Sequence, residues 1–424
     1  MSGFPVVRVA CRHVFSRPLQ FFTLALALAL GSALASFLFL AVSGLQDGLA
    51  RAVEPFSLLV GAKGSQYQLT TNSIFLQDAP LGNISGDLWH ELQKDRRVKT
   101  ATPLGFGDSY LGCPVVGTDQ TVFTIRTGGA SSPLWLQMKE GRAFQKPYEA
   151  LVGAAAAQLT GLKIGDTFKT THGMTAGGHQ HHQVYTVTGI AAPVGGPYDR
   201  AIFTPMESIW AAHEGHGEHE GGEDHHDEEA EEAEEAHHDV PTSGDVTAVL
   251  IEPKSLGAAY ALAQSFIKRN DGQVVFPSQV IVRLFSAMGR SEEILSVVVW
   301  SVLAVTTVTS LLILFWSGSS RKNEYTLLRA LGLPARTLFA VGWVEGAVTI
   351  CTGLLTGWIV GRAGLWLLFS SLSQKTALTL TAPLTGYEAG AVAAALLAGV
   401  AVSALPALAM GRAPMEKLLG TSSL

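Results

Sequence analysis

Near-continuous apolar residues occupy four stretches of the chain, 19–44, 294–318, 339–369 and 388–410. Each is as long as the roughly 18 to 20 residues that a helix needs to cross a hydrocarbon core of about 30 Å. The first two carry no charged residue, and the fourth carries only the Glu388 that opens it. Runs of this length and purity read as membrane spans and not as buried helices of a soluble core. The first exceeds the roughly 7 to 15 apolar residues of a cleaved signal sequence, and no small-residue cleavage site follows it, so it reads as a retained anchor.

Between 45 and 290 the pattern breaks into short periods. β-Branched and aromatic runs at 184–190, 201–204, 246–251 and 273–276, bounded by Gly, Pro and Asp, predict strands. Helical spacing predicts helices at 86–94, opened by Ser85 as N-cap, and at 255–269. The expected fold class is an α+β membrane protein. Four transmembrane helices in a one-plus-three topology carry a large mixed α/β domain between helices 1 and 2, and no internal repeat is visible.

Composition fits this layout. Charged residues are 15% of the 424, against about 25% in soluble proteins. The net charge of −6 hides one extreme block, 213–239, which holds 13 acidic residues and no Lys or Arg; the rest of the chain is positive. Short flanking segments that keep Lys and Arg face the cytoplasm. Arg8, Arg12 and Arg17 precede the first span, Arg321, Lys322, Arg329 and Arg336 lie between the second and third, and Arg412 and Lys417 follow the fourth. All three places share one side only if both termini are cytoplasmic. The expected order is a cytoplasmic segment 1–18, a first span 19–44, an outer domain 45–290 with a disordered loop at 213–239, and a second span 291–318. A cytoplasmic helix 319–338, a third span 339–369, an outer loop 370–387, a fourth span 388–411 and a cytoplasmic tail 412–424 follow. Of the three cysteines only Cys113 falls in the outer domain, so no disulfide within it is available.

The outer domain lacks an enzyme's vocabulary. There is no Gly-Lys pair for a Walker A loop, and no GxSxG, HExxH or CxxC motif. Asp199 and Arg200, after Gly195-Gly196-Pro197, read as a turn with a surface ion pair. What stands out is histidine. One group is His172, His179, His181 and His182, set among glycines; the other, inside the acidic block, is His213, His216, His219, His225, His226, His237 and His238. Neutral imidazole is a strong ligand for zinc, copper and nickel, and neighbouring carboxylates add ligands and an attractive field. The expectation is several weak, exchangeable sites for Zn2+ or another divalent metal, with no tightly bound cofactor. Zinc comes ahead of copper because no Met or Cys accompanies the histidines of the acidic block. A pH-responsive loop is the other reading of the same residues.

The spans offer little to an ion in transit. Glu345 and Arg362 lie 17 residues apart on one helix, about 25 Å at 1.5 Å per residue, so they cannot pair with each other; each reads as snorkelling to an interface. Gly342, Gly346, Gly353, Gly357 and Gly361 form a small-residue stripe on the third span, and Ala27, Gly31 and Ala35 one on the first; such stripes let helix backbones approach closely. Between the second and third spans, Arg321-Lys322-Asn323-Glu324-Tyr325-Thr326-Leu327-Leu328-Arg329-Ala330-Leu331-Gly332 reads as a surface helix with Tyr325, Leu328 and Leu331 at helical spacing, stopped by Gly332 and Pro334.

This segment resembles the MacB/FtsX/LolC-type permeases of ATP-binding-cassette systems, whose R-x-x-E-x-x-x-L-R-A-L-G pattern matches Arg321, Glu324, Leu328, Arg329, Ala330, Leu331 and Gly332. Glu345-Gly346, Pro406-Ala407, Arg412-Ala413-Pro414 and Leu418 extend the match, and 59–65 and 80–84 are similar to a MacB-like subgroup with histidine-rich insertions. The resemblance implies a bacterial inner-membrane homodimer with a periplasmic domain, bound to two copies of a separate ABC ATPase that supplies all ATP hydrolysis. In such mechanotransmission the ATPase moves the coupling residues Arg321, Lys322, Glu324, Tyr325, Leu328, Arg329, Leu331 and Gly332, and cargo need not cross through the permease. Partners would be that ATPase, membrane lipid and a periplasmic or outer-membrane protein, with no nucleic acid. Release of lipoproteins or amphiphiles, and an ATPase-independent metal or pH sensor, are the rival readings.

Overall fold

The computed structural model describes residues 12, 18–77, 79–128, 131–173, 180–213, 244–320, 332–376 and 378–411. They divide into two compact units. One draws on the chain up to Leu45, on Met288–Ser371 and from Leu380 onward; the other is Gln46–Ala287 with Leu372–Thr379.

The second unit is built on ten strands, β1 (Leu58–Gly61), β2 (Val98–Tyr110), β3 (Cys113–Thr118), β4 (Met138–Gly141), β5 (Glu149–Val152), β6 (Thr167–His172), β7 (Gln180–Ala191), β8 (Ile202–Pro205), β9 (Ala248–Pro253) and β10 (Gln273–Val275). The first half of β2 pairs with β9 in a sheet ordered β10-β1-β9-β2. Its second half pairs with β3 and β6. From there β3 joins β8, β8 joins β5, β5 joins β7, and β7 joins β6, which returns to β2. Six strands thus close a ring, which removes the exposed edges that an open sheet would leave.

Each half has its own core. Against the open sheet lie the helices Gly86–Lys94 (α3) and Leu256–Phe266 (α6), burying Leu88, Trp89, Leu92, Leu262 and Phe266 on Leu58, Val60 and Val249. Ser85 and Ser255 cap these helices by accepting the backbone N–H of Asp87 and Ala258. Inside the ring, Cys113, Val115, Ala150, Val152, Phe168, Tyr185, Val187 and Ile202 form the other core. Helices α2 (Gln66–Phe75), α4 (Ala154–Thr160) and α5 (Met206–His213) complete the unit. The expected strands and helices between 184 and 276 are all present, with β7 starting at Gln180.

Four further helices carry the apolar runs besides α1 (Pro18–Val53): α7 (Pro277–Ser320), α8 (Ala335–Thr376), α9 (Gly386–Val402) and α10 (Ala404–Gly411). Among the described residues, two stretches are long and apolar enough to cross a membrane, Pro18–Val53 and Ala335–Ser373. The expected fourth span is divided at Ser403 between α9 and α10. Pro406 has no N–H to return to the carbonyl of Val402, which favours a break there. At the start of α8, Gly332 has φ of 93°, a left-handed geometry that glycine adopts without strain.

Candidate functional site

At one end of the ring three donor side chains converge. Strand alternation puts Phe168, Thr170 and His172 of β6 on one face, and His181, Tyr185 and Val187 of β7 on the face that meets it. Phe168, Tyr185 and Val187 fill the core, so Thr170, His172 and His181 continue that inner face toward the rim. The third strand contributes Asp108, which pairs across β2 and β6 with His172. A register shift in β2 between Gly105 and Asp108 is the kind of bulge that re-aims a side chain.

The result is a buried carboxylate held by imidazole. The Asp108 side chain is fully buried and its Oδ1 lies 3.1 Å from His181 Nε2 and 3.7 Å from His172 Nδ1. Thr170 Oγ1 donates to Oδ2 at 3.3 Å. His181 is buried and His172 is exposed, their rings set edge to face at 6.1 Å. Burial and the negative charge of Asp108 hold the nearby Tyr185 phenol well above its ordinary range. Asp108 carries no signal in the sequence, because it lies 64 residues before His172 and outside both histidine groups.

Of the other expected ligands, the two among the described residues do not join this cluster. His182 lies on the opposite, outer face of β7, a consequence of following His181 by one residue in a strand. His213 ends α5. His179, His216, His219, His225, His226, His237 and His238 lie outside the described residues, as do the coupling residues Arg321, Lys322, Glu324, Tyr325, Leu328, Arg329 and Leu331. The Asp199–Arg200 turn differs from expectation. Asp199 is buried and accepts the backbone N–H groups of Val194 and Gly195 at 2.7 and 2.9 Å, so it closes its own turn; burial pushes its carboxyl up. Arg200 sits beside the buried Cys113 thiol, which burial also pushes up.

In the helical unit, Gly353, Gly357 and Gly361 face Ala25, Ala29 and Ala33 of α1 in a constant register. A methyl group on Gly353 would lie 2.9 Å from the Ala25 carbonyl oxygen, and one on Gly361 2.7 Å from that of Ala33. Ser32 Oγ donates to the Leu354 carbonyl at 3.1 Å across the same seam. The stripe expected on α1, Ala27, Gly31 and Ala35, is therefore not the one that meets these glycines; Gly31 instead meets Thr306 of α7. Gly346 packs on Ser403, and Gly342 lies half-buried on α8.

Arg362 does not snorkel. Its guanidinium binds both carboxylate oxygens of Glu388 at 2.7 and 2.6 Å and donates to the Ala382 carbonyl at 2.6 Å. Trp358 Nε1 donates to Glu388 as well, at 2.8 Å. The partner of Arg362 is thus not on its own helix, where Glu345 is too distant, but opens the next one.

Residues 294–415 match the family described as FtsX-like permease C-terminal. The segment that carries the glycine stripe of α8 and the Arg362–Glu388 pair is therefore an FtsX-like permease domain. No curated protein matches the chain. Among the solved structures to which it is similar, two align over about half the chain. The extracellular domain of the noncanonic ABC-type transporter YknZ from Gram-positive bacteria has 12% identity and a TM-score of 0.29, covering 51% of this chain and 98% of that one. The periplasmic region of MacB from Actinobacillus actinomycetemcomitans has 11% identity and a TM-score of 0.32, covering 55% and 95%.

Proposed function

We propose that the chain is the membrane subunit of a MacB-like machine in which a separate ATPase, present in two copies on a permease homodimer, drives motion of a periplasmic domain. The carrying observation is the FtsX-like domain at 294–415, which contains the R-x-x-E-x-x-x-L-R-A-L-G segment at Arg321–Gly332. Packing supports a mechanical role. The α1–α8 seam is made of small residues that fix helix against helix, and the ionisable pair near it is satisfied within the bundle. Both termini are cytoplasmic and 45–290 is periplasmic in this reading, with the machine in a bacterial inner membrane. The histidine-rich 172–182 and 213–239 segments link its work to a divalent metal, zinc foremost.

The test is co-purification of a co-expressed ABC ATPase from the same organism with wild type and with the triple variant R321A/E324A/L328A, wild type being expected to retain it. Retention should fall at least about tenfold while the permease still elutes as folded protein; undiminished retention overturns the coupling assignment. A second reading, release of amphiphiles or lipoproteins, is favoured by an open groove of about 1180 Å³ in the β-rich unit, lined by Phe56, Leu256, Phe276, Ile281 and Phe285 with Arg51 and Glu54 beside them.

A further inference from the structure

We propose that the rim of the six-stranded ring binds one divalent ion of the zinc class through Asp108 Oδ1, His172 Nδ1 and His181 Nε2. The inference rests on the metal-linked reading above and gives that metal a defined seat, distinct from the acidic loop.

Geometry carries it. The three donor atoms lie within 4.8 Å of one another. Four-coordinate zinc holds nitrogen and oxygen ligands at about 2.0 to 2.2 Å, which sets neighbouring ligand atoms about 3.3 Å apart. Asp108 Oδ1 lies 3.1 Å from one imidazole nitrogen and 3.7 Å from the other, on either side of that value. Small rotations of the exposed His172 ring bring the third edge in. Two imidazoles and one carboxylate are a donor set suited to zinc, and the thiolates that a soft ion would select are missing from it.

The surroundings are those of a ligand set and not of a chance surface cluster. Asp108 and His181 are buried, and Thr170 Oγ1 bonds the carboxylate oxygen that the imidazoles leave to it. Such a bond orients a ligating carboxylate from behind. His172 lies on the solvent side, so the fourth coordination position opens outward and the ion can exchange. The ligands come from β2, β6 and β7, so binding ties the β6–β7 hairpin to the strand shared by ring and open sheet. Without metal, the His181 Nε2–H donates to Asp108 Oδ1, and binding through Nε2 uses the other imidazole tautomer.

The experiment uses the full-length protein in detergent, titrated with zinc against a chromophoric chelator and separately with Co2+ followed in the visible spectrum. Wild type, H172A, D108N, H182A and a form lacking 213–239 are compared. One site tighter than the rest should persist in H182A and in the loop deletion, give the intense visible bands of tetrahedral Co2+, and weaken at least about 100-fold in D108N and H172A, the upper end of what loss of an outer-shell partner costs. His172 is exposed, so H172A tests the site even if D108N disturbs the ring. A tight site unchanged in H172A and D108N, or one lost wholly with 213–239, overturns this seat and leaves the metal link standing. A wild-type protein that binds no zinc overturns both.

Discussion

Replacing Arg362 by Met separates two accounts of the charged residue inside the third apolar run. If it snorkelled, its loss would cost little. In the structure it supplies two of the three hydrogen bonds drawn by Glu388, whose side chain is only 8% exposed, and its own side chain is 25% exposed. R362M leaves the carboxylate with the Trp358 N–H and without a balancing charge. Breaking a buried pair in this way costs about 3 to 5 kcal/mol, and the residual exposure of Arg362 places the expectation near the lower end, about 3 kcal/mol. E388Q keeps a Trp358 acceptor and leaves the guanidinium its bond to Ala382, so about 2 kcal/mol is expected. The double variant R362M/E388Q removes both charges together and should cost less than the two single changes combined, with a coupling of about 2 kcal/mol. Equilibrium unfolding of the detergent-solubilised protein by SDS titration, followed by tryptophan fluorescence, measures all three. Single variants within about 0.5 kcal/mol of wild type, or an additive double variant, refute the pairing.

Close contacts in both units set further expected outcomes. G357L forces a side chain onto the Ala29 carbonyl oxygen and, 2.7 Å away, the Ser32 Cβ, so it should destabilise by at least about 1 to 3 kcal/mol; G364A, whose methyl group would meet Phe37 at an ordinary 3.7 Å, should be nearly neutral in the same SDS titration. In the β-rich unit, Arg142 and the backbone N–H groups of Gln145 and Lys146 hold the Glu149 carboxyl down at about 2. A depressed folded value stabilises the fold above the unfolded value of about 4.3 and ceases to do so as pH falls toward 2. The stability gap between wild type and E149Q should therefore shrink across that window in urea unfolding; a gap constant from pH 6 to pH 2.5 contradicts the assignment.

Local signals were legible and closure was not. Helix α3 falls on the expected 86–94 because its start is set by Ser85 and its buried face by Leu88, Trp89 and Leu92, all within three turns. Strand β7 was read from Val184 onward, since the polar Gln180, His181 and His182 mask an alternation that is real. Strand β2, on which both halves of the unit depend, was missed altogether. It contains Pro103, Gly105 and Gly107, residues that weaken a strand reading, and it is held by pairing with β9, β3 and β6 from distant parts of the chain. The small-residue stripe of α8 was legible from spacing, but its facing residues on α1 were not, because Ala25, Ala29 and Ala33 repeat with the same period as Ala27, Gly31 and Ala35 and only the rotation of α1 chooses between them.

The histidines make the same physical point at the level of chemistry. Composition registers how many imidazoles a segment holds, and it grouped His172, His179, His181 and His182 as equals. A strand's period of two divides them: one residue separates the inner His181 from the outer His182, and no property of the imidazole itself carries that difference. Proximity to a carboxylate is settled by a third strand whose Asp108 is 64 residues before His172 in a glycine-containing stretch. For a ligand to be strong it must be both available and fixed, and fixing comes from the ring's closure, which pairs β2 with β6 and buries Asp108 against His181. Two imidazoles on a shared, oriented carboxylate oxygen are what the closed β-ring adds to that composition.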